Sequence, residues 1–394
     1  MLNSLVQSEE CSCKDCPFRI TTALKGDETM IKLKAGIIGC GNISPAYLTY
    51  LSRSPFVQVT ACADMVQEKA KERAQQFGIE NVYTVEEMLN APEIDLIINL
   101  TIPASHGSVN LLALQHGKHV YVEKPLCLSL DEAKDILALA AEKGLRVGSA
   151  PDTFLGAGIE TARDAIARGF IGRPVAASAF MMGSGPESWH PNPDFFYAAG
   201  GGPMFDMGPY YLTALINLLG PIRRISGSAG IQVAQRTVHT GENAGKSISV
   251  QTPTHYSGTL EFAEGAIGTM ITSFDITGGS MLPWIEIYGT EGSLHLPDPN
   301  YFNGEVKLRR SGNDPWEIVP ALFESGENER GRGVEDMAKA IHEGVTHRAN
   351  GHQAYHVLEA MHAFERSSRE GKHIMLESTA DLAAYYMQAA QGIQ

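Results

Sequence analysis

Lys124, Asp206 and Tyr210 are side chains of the kinds that move protons, and the turn near residue 40 has the glycine spacing that holds phosphate. The turn reads GIIGCGNIS. Gly39, Gly41 and Ser44 fall on the G-x-G-x-x-G/A pattern, in which the first glycine makes the turn and the second admits a pyrophosphate. The third, small residue packs the following helix on its strand. Amides around Asn42 and Ile43, at the helix start, then offer the phosphates donors that the helix itself cannot use. The next strand, VQVTACAD, ends in Asp64, 23 residues after Gly41, where a carboxylate accepts hydrogen bonds from an adenosine ribose and repels a 2'-phosphate. NAD is therefore favoured over NADP.

Two more segments lie where strands should end. One is Thr101-Ile102-Pro103 with His106; the other is Glu123-Lys124-Pro125, in which Pro125 biases Lys124 away from helix and leaves it projecting from the sheet edge. His106 reads either as a ligand contact or as a surface residue at a helix start. In GGGPMFDMGPYYL, Asp206 and Tyr210 stand one helical turn apart and can share a face, although Asp206 also suits an N-cap. The three glycines, 200 to 202, fit either a close backbone approach to a substrate or a flexible turn. The long Gly/Pro-rich passage 182–202 offers Trp189, His190, Asn192 and Asp194 as an aromatic face with hydrogen-bonding groups for a sugar-like ligand, and Asp152 and Thr153 are further candidates.

The elements that must position these residues are legible as an alternation. Strand-like IDLIINLTIP, HVYVEKP and RVGSA alternate with helical HGSVNLLALQHG and SLDEAKDILALAAEKG, the pattern of a doubly wound parallel sheet over residues 30–150. IDLIINL is nearly continuously apolar, as a strand buried on both faces must be. After Pro151 the text changes. GIETARDAIARG is helical, VAASAFMM a strand, and THYSGTLEFAEGAIGTMITSF alternates in period two around Glu264-Gly265, a hairpin of an antiparallel sheet. VEDMAKAIHEG and AYHVLEAMHAFERSS read as amphipathic helices. Residues 151–377 thus form a second, α+β domain, and 378–394 a tail that packs on the first.

Composition narrows the partners. A chain of 394 residues that is 43% hydrophobic supports two cores. A net charge of -14 repels phosphate backbones and anionic lipid, which excludes nucleic acid and membrane surfaces as partners. No apolar run is long enough to span a bilayer and no secretory signal opens the chain, so a cytoplasmic protein is expected. Cys40, Cys62 and Cys127 read as small buried residues, while Cys11, Cys13 and Cys16 lie in a segment, 1–29, read as a loosely ordered leader. No metal is assigned. Cys11, Cys13 and Cys16 lack an evident fourth ligand, and the i, i+4 pair His352 and His356, with His362 beyond, has no glutamate between its first two members.

The stretch GIIGCGNI, the T-x-P-x-x-H segment, E-K-P, GGGPMFDMGPYYL and AYHVLEAMHAF together resemble the glucose-fructose oxidoreductase and inositol dehydrogenase family (Gfo/Idh/MocA), over nearly all of residues 33–377. The resemblance implies an NAD(P)-binding Rossmann domain and a C-terminal domain with an open-faced, mainly antiparallel sheet that often serves as an oligomer interface. A homodimer or homotetramer is expected from it, with the hairpin around Met270 and Ile271 at the contact. It also implies hydride transfer between nicotinamide and a carbinol carbon of a sugar, polyol or sugar derivative. The family's lysine falls on Lys124 and its D-x-G-x-H motif on Asp206 to Tyr210. Many members carry histidine where this chain has Tyr210. An unperturbed phenol, with a pKa near ~10, is a poor base at neutral pH, so Lys124 must help it. A glycosidase that oxidises its substrate only transiently and a non-catalytic NAD or sugar sensor are the alternatives.

Overall fold

The computed structural model describes residues 32–380 and 382. The expected leader, with Cys11, Cys13 and Cys16, and most of the tail lie outside the described residues. Within them, β1 (Leu33–Ile38), β2 (Val57–Ala63), β3 (Asn81–Tyr83), β4 (Leu96–Asn99), β5 (His119–Val122) and β6 (Val147–Ser149) form one parallel sheet. Its order is β3-β2-β1-β4-β5-β6. The order reverses between β1 and β4, so a crevice opens beyond their carboxyl ends, which is where such sheets bind ligands. Every residue of β4 is buried because helices cover both faces. Local chemistry sets the helix ends. Thr84 and Glu87 form a reciprocal capping box at the start of Val85–Asn90, and Gly78 and Gly144 close two helices in the left-handed conformation. Cys40, Cys62 and Cys127 are buried free thiols.

The second half is built on a nine-strand sheet, counted among the described residues. Its centre is the expected hairpin: His255–Phe262 pairs antiparallel with Ile267–Ser273 from His255↔Ser273 to Glu261↔Ile267, and Gly265 turns the chain at φ 94°. Pro174–Met182 lies beside Ile267–Ser273 in parallel, so the sheet is mixed at that seam and antiparallel elsewhere. The helices Gly208–Leu219 and Gly351–Glu370 cover one face. Met270 points to that face and is fully buried, so of the two residues expected at the oligomer contact only Ile271, on the half-exposed outer face, is available. Period-two alternation places adjacent residues on opposite faces, and one hairpin position cannot serve both.

The chain does not leave the first sheet at Pro151 for good. Helix Arg332–Glu343 and residues 347–350 return to it: Ser149 N–H donates to Ala349 O (3.0 Å), His347 Nε2 to Val147 O (3.1 Å), and the Tyr50 hydroxyl to Glu335 (3.3 Å). The end of the second domain, up to the first residue of the expected tail, is tied to that domain. Leu376 N–H bonds Arg223 O, and the Glu359 carboxylate accepts from the amides of Glu377 and Ser378, which fastens this segment to the second domain. His356 accepts the Ile222 amide and His362 donates to Leu128 O, so both are occupied with backbone.

Candidate active site

The β1 turn has the geometry its spacing implied. Gly39 sits at φ 101°, and a Cβ there would lie 2.6 Å from the Leu100 carbonyl. A Cβ on Gly41 would meet nothing within 4 Å, so the space beside this glycine is open. Ser44 is buried and its hydroxyl donates to Gly41 O at 2.8 Å. The amides of Asn42 and Ile43 precede the first turn of helix Ser44–Leu51, where the helix has no acceptors for them. Asp64 grips the turn: Oδ2 accepts from Cys40 N–H and Oδ1 from Val66 N–H, both at 2.8 Å. Each oxygen keeps a lone pair, and the side chain is half-exposed, as a ribose contact requires. Arg73 reaches the same rim, with Nη2 3.4 Å from Cys40 O, a cation that spacing alone did not reveal.

At the end of β4, Thr101 Oγ1 donates to Asn99 Oδ1 (2.7 Å), while Asn99 Nδ2 donates to Asn110 Oδ1 and His106 O. Pro103 opens the helix Pro103–Gln115. His106 is neither at the surface nor free for a ligand. Its ring is buried between Pro125 O (2.7 Å) and Thr101 O (3.0 Å), and burial lowers its pKa. It therefore holds together the two loops that were expected to meet a ligand. Glu123 is likewise engaged below the surface, accepting from the Tyr47 hydroxyl (2.7 Å) and the Lys124 amide (3.0 Å).

Lys124, Asp206 and Tyr210 do come together. Lys124 Nζ donates to Asp206 Oδ1 at 2.7 Å and to Asp206 O at 2.8 Å, and it lies 5.5 Å from the centroid of the Tyr210 ring. Asp206 ends the short helix Gly202–Asp206, and Met207 stands at the N-cap of Gly208–Leu219. The carboxylate therefore makes no cap; it binds the lysine. Burial works against the Lys124 ammonium, but the Asp206 carboxylate, with Tyr210 and Glu123 behind it, outweighs burial and holds the group above the usual lysine range.

One partner of Tyr210 comes from 120 residues away. Arg330 Nη2 donates to Tyr210 Oη at 3.2 Å, and the guanidinium is held by Asn300 Oδ1 (2.7 Å) and Asn328 Oδ1 (3.1 Å). Asp152 is 1% exposed and so does not face a substrate. Its Oδ2 accepts from the amides of Gly331 (3.0 Å) and Gly333 (2.9 Å), pinning the segment that carries Arg330, and burial raises its pKa to about 6. Thr153 is buried in the adjoining 3-10 turn. In sequence, Arg330 is one of several charges in GENERGRGVED, and nothing there marks it as a neighbour of Tyr210.

The glycines before Asp206 serve packing rather than approach to a substrate. Cβ atoms at 200, 201 and 202 would strike the Leu128 side chain, the carbonyls of Phe195 and Phe196, and the Pro253 carbonyl, each at 2.8 Å or less. Trp189 stands 65% exposed with its ring edge-on to His190. Their loop is anchored from beneath by Arg236, which pairs with Glu187 and Asp275. Asn192 and Asp194 are occupied by Asn243 and Lys246. Among the described residues, no contact joins Trp189 or His190 to the Lys124–Tyr210 cluster.

Comparison with known proteins agrees with this layout. Residues 33–150 match the model of an oxidoreductase family with an NAD-binding Rossmann fold, and residues 159–295 match the GFO/IDH/MocA C-terminal domain. The chain is 29% identical to 1,5-anhydro-D-fructose reductase of Ensifer adhaerens, over 66% of this chain and 74% of that protein. It is 24% identical to scyllo-inositol 2-dehydrogenase (NAD(+)) of Bacillus subtilis, over 88% and 97%. Among solved structures, levoglucosan dehydrogenase in complex with NADH shares the fold with a TM-score of 0.75 at 20% identity, covering 88% of this chain and all of the other.

Proposed function

We propose that Tyr210 is the proton acceptor of a dehydrogenase site, on the premise that this chain belongs to the Gfo/Idh/MocA oxidoreductase family. The chain is an NAD-dependent oxidoreductase acting on a CH–OH group of a sugar, polyol or related compound. The observation that carries the role of Tyr210 is its place against two cations, Lys124, just beyond the end of β5, and Arg330. Gly39, Gly41, Asn42, Ile43 and Asp64 would hold the dinucleotide, with Thr101, Pro103 and Lys124 on the far side of the crevice. When bound, nicotinamide supplies a hydride acceptor at C4. Tyr210 takes the hydroxyl proton of the carbinol as its C–H bond yields the hydride. Lys124, kept charged by Asp206, orients the substrate oxygen toward the phenol and stabilises the charge that builds on it.

Asp64 favours NAD over NADP, since a carboxylate already bonded to the turn repels a 2'-phosphate. Trp189 and His190, edge to face on an exposed loop, would offer a sugar an aromatic face and a hydrogen-bonding ring only where the substrate reaches beyond the Lys124–Tyr210 cluster. The partly exposed outer face of the second sheet, with Ser178, Phe180 and Ile271, joins copies of the chain into a homodimer or, by closed symmetry, a homotetramer. With no membrane-crossing helix among the described residues and three buried free thiols, we assign the protein to the cytoplasm.

The test is a panel of sugars and polyols followed by NADH absorbance, repeated with Tyr210→Phe. Oxidation by the native chain that the variant loses supports the assignment; near-native turnover in the variant overturns it. Light scattering that shows only a 42.6 kDa species overturns the dimer.

A further inference from the structure

We infer that Arg330, through its direct hydrogen bond to the oxygen, is a positioning residue that holds the Tyr210 phenol in its proton-accepting form. The inference rests on the reading of Tyr210 as the base. Lys124 was the obvious candidate for this task, but its ammonium donates to two oxygens of Asp206, and both it and the Arg330 guanidinium stand over the Tyr210 ring, at 5.5 and 5.9 Å from the centroid. Arg330 instead donates directly to Oη. A charged donor on the oxygen favours the ionised phenol more than a cation over the ring face, because a hydrogen bond to the charged form adds to the Coulomb attraction.

The rest of the arrangement fits a guanidinium kept for this purpose. Its hydrogen-bond partners among the described residues are all neutral: Asn300 Oδ1 and O, Asn328 Oδ1, and the phenol itself. Neutral acceptors orient an arginine without cancelling its charge, so the field reaches the one partner able to become an anion. Its backbone is fixed from below, where the Asp152 carboxylate bonds the two amides that follow Arg330 at short range. The cations beside the phenol are Lys124 from the end of β5 and Arg330 from the loop before helix Arg332–Glu343; Asp206 from its short helix acts on the first, Asp152 from the segment after β6 acts on the second, and Glu123 acts on both. Asp206 is paired with Lys124, and Asp152 and Glu123 lie behind the bonded amides and Tyr47. Arg330 is the cation left at the oxygen. In the reaction it neither gains nor loses a proton: the substrate hydroxyl proton passes to Oη, and the arginine keeps its N–H on that oxygen throughout.

The test uses the full chain, with and without NAD, and reads tyrosinate absorbance in the near ultraviolet between about pH 7 and 11. Subtracting the Tyr210→Phe trace isolates this phenol in the native and Arg330→Gln backgrounds. The midpoint should rise by ~1 pH unit in Arg330→Gln, an opposite charge at this range being worth ~1–3 units, and return most of the way in Arg330→Lys. Once a substrate is known, the rising limb of kcat/KM should move by the same amount, a ~10-fold loss near neutral pH that high pH restores. An unchanged midpoint in Arg330→Gln overturns the inference. Should that variant fail to fold, Asn300→Ala carries the test by freeing the guanidinium while keeping its charge, and again a rise supports and no rise overturns. A rise together with full turnover in Tyr210→Phe would overturn the base assignment and leave the hold of Arg330 on the phenol standing.

Discussion

The two sides of the crevice are built by different means. On the dinucleotide side, Gly39, Gly41, Ser44 and Asp64 lie within one strand-turn-helix-strand unit, and each is fixed by a nearby backbone: the Leu100 carbonyl excludes a Cβ at 39, and the Cys40 amide holds Asp64. On the side proposed for the substrate, Lys124, Asp152, Asp206, Tyr210 and Arg330 come from four separate places, joined by charge and hydrogen bonds over separations of 82 to 181 residues. The first side is a backbone conformation with side chains trimmed to fit it. The second is a set of side chains that a whole fold must bring together. A substitution on the first side should therefore act through shape, and one on the second through ionisation.

The largest effect tests the second side. Tyr210→Phe should lower turnover ~10²- to 10⁴-fold, the usual worth of a general base, with NAD affinity unchanged by calorimetry. Tyr210→His should recover part of that loss, since an imidazole with an intrinsic pKa near ~6.5 needs less help from neighbouring cations. A Tyr210→Phe variant that loses cofactor affinity instead would mean the two sides are not separate in function.

The paired glycines sharpen the comparison on the first side. Gly39→Ala should destabilise the fold by on the order of 1–3 kcal/mol in thermal or urea unfolding, because both its φ and the Leu100 carbonyl oppose a side chain. Gly41→Ala should leave unfolding unchanged, its Cβ meeting nothing, yet weaken NAD binding ~10-fold or more by filling the phosphate approach. Equal stability losses at the two positions would refute this division of roles.

Asp152 joins substrate-side ionisation to stability. Burial raises its pKa from 3.8 to about 6. In the folded chain it therefore keeps its proton at pH values where the unfolded chain has lost it, and stability falls as pH rises from about 4 to about 6 and then levels. Asp152→Asn retains an acceptor for Gly331 and Gly333 but cannot ionise, so its unfolding free energy should lack that fall, a difference on the order of 1–3 kcal/mol. Parallel pH curves for the two proteins would contradict the burial argument. The smallest effect is at the rim: Asp64→Ser should narrow the NAD preference by ~10-fold in titrations with NAD and NADP. A native chain that binds NADP at least as well would show that Arg73, close to the same turn, outweighs the carboxylate.

Legibility in the sequence followed the same division. The parallel sheet, its turn and Asp64 could be read because conformational demands on neighbouring residues leave a fixed spacing. The hairpin at Glu264-Gly265 could be read because alternation has a period. Lys124, Asp206 and Tyr210 stood out by residue type and position, their roles came through a resemblance to known proteins, and spacing alone did not settle whether Asp206 caps a helix or meets a lysine. Arg330 and Arg73 left no local trace, since a charged partner is selected by position in space and can be drawn from any loop. Burial misled in the opposite sense at His106 and Asp152. Polar residues at strand ends look like ligand contacts until the fold shows which carbonyls and amides already claim them.

The return of residues 347–350 to β6 also has a consequence for biosynthesis. β6 is an edge strand, and the groups that cover it, Ala349 O on the Ser149 amide and His347 on Val147 O, stand about 200 residues further along. As the chain leaves the ribosome from its N-terminus, the parallel sheet can assemble early, but its last edge stays open for template pairing while most of the second half is made. Synthesis that stops short of residue 350 yields a sheet with an unprotected border, and such fragments should be found in aggregates or with chaperones rather than as a free nucleotide-binding module.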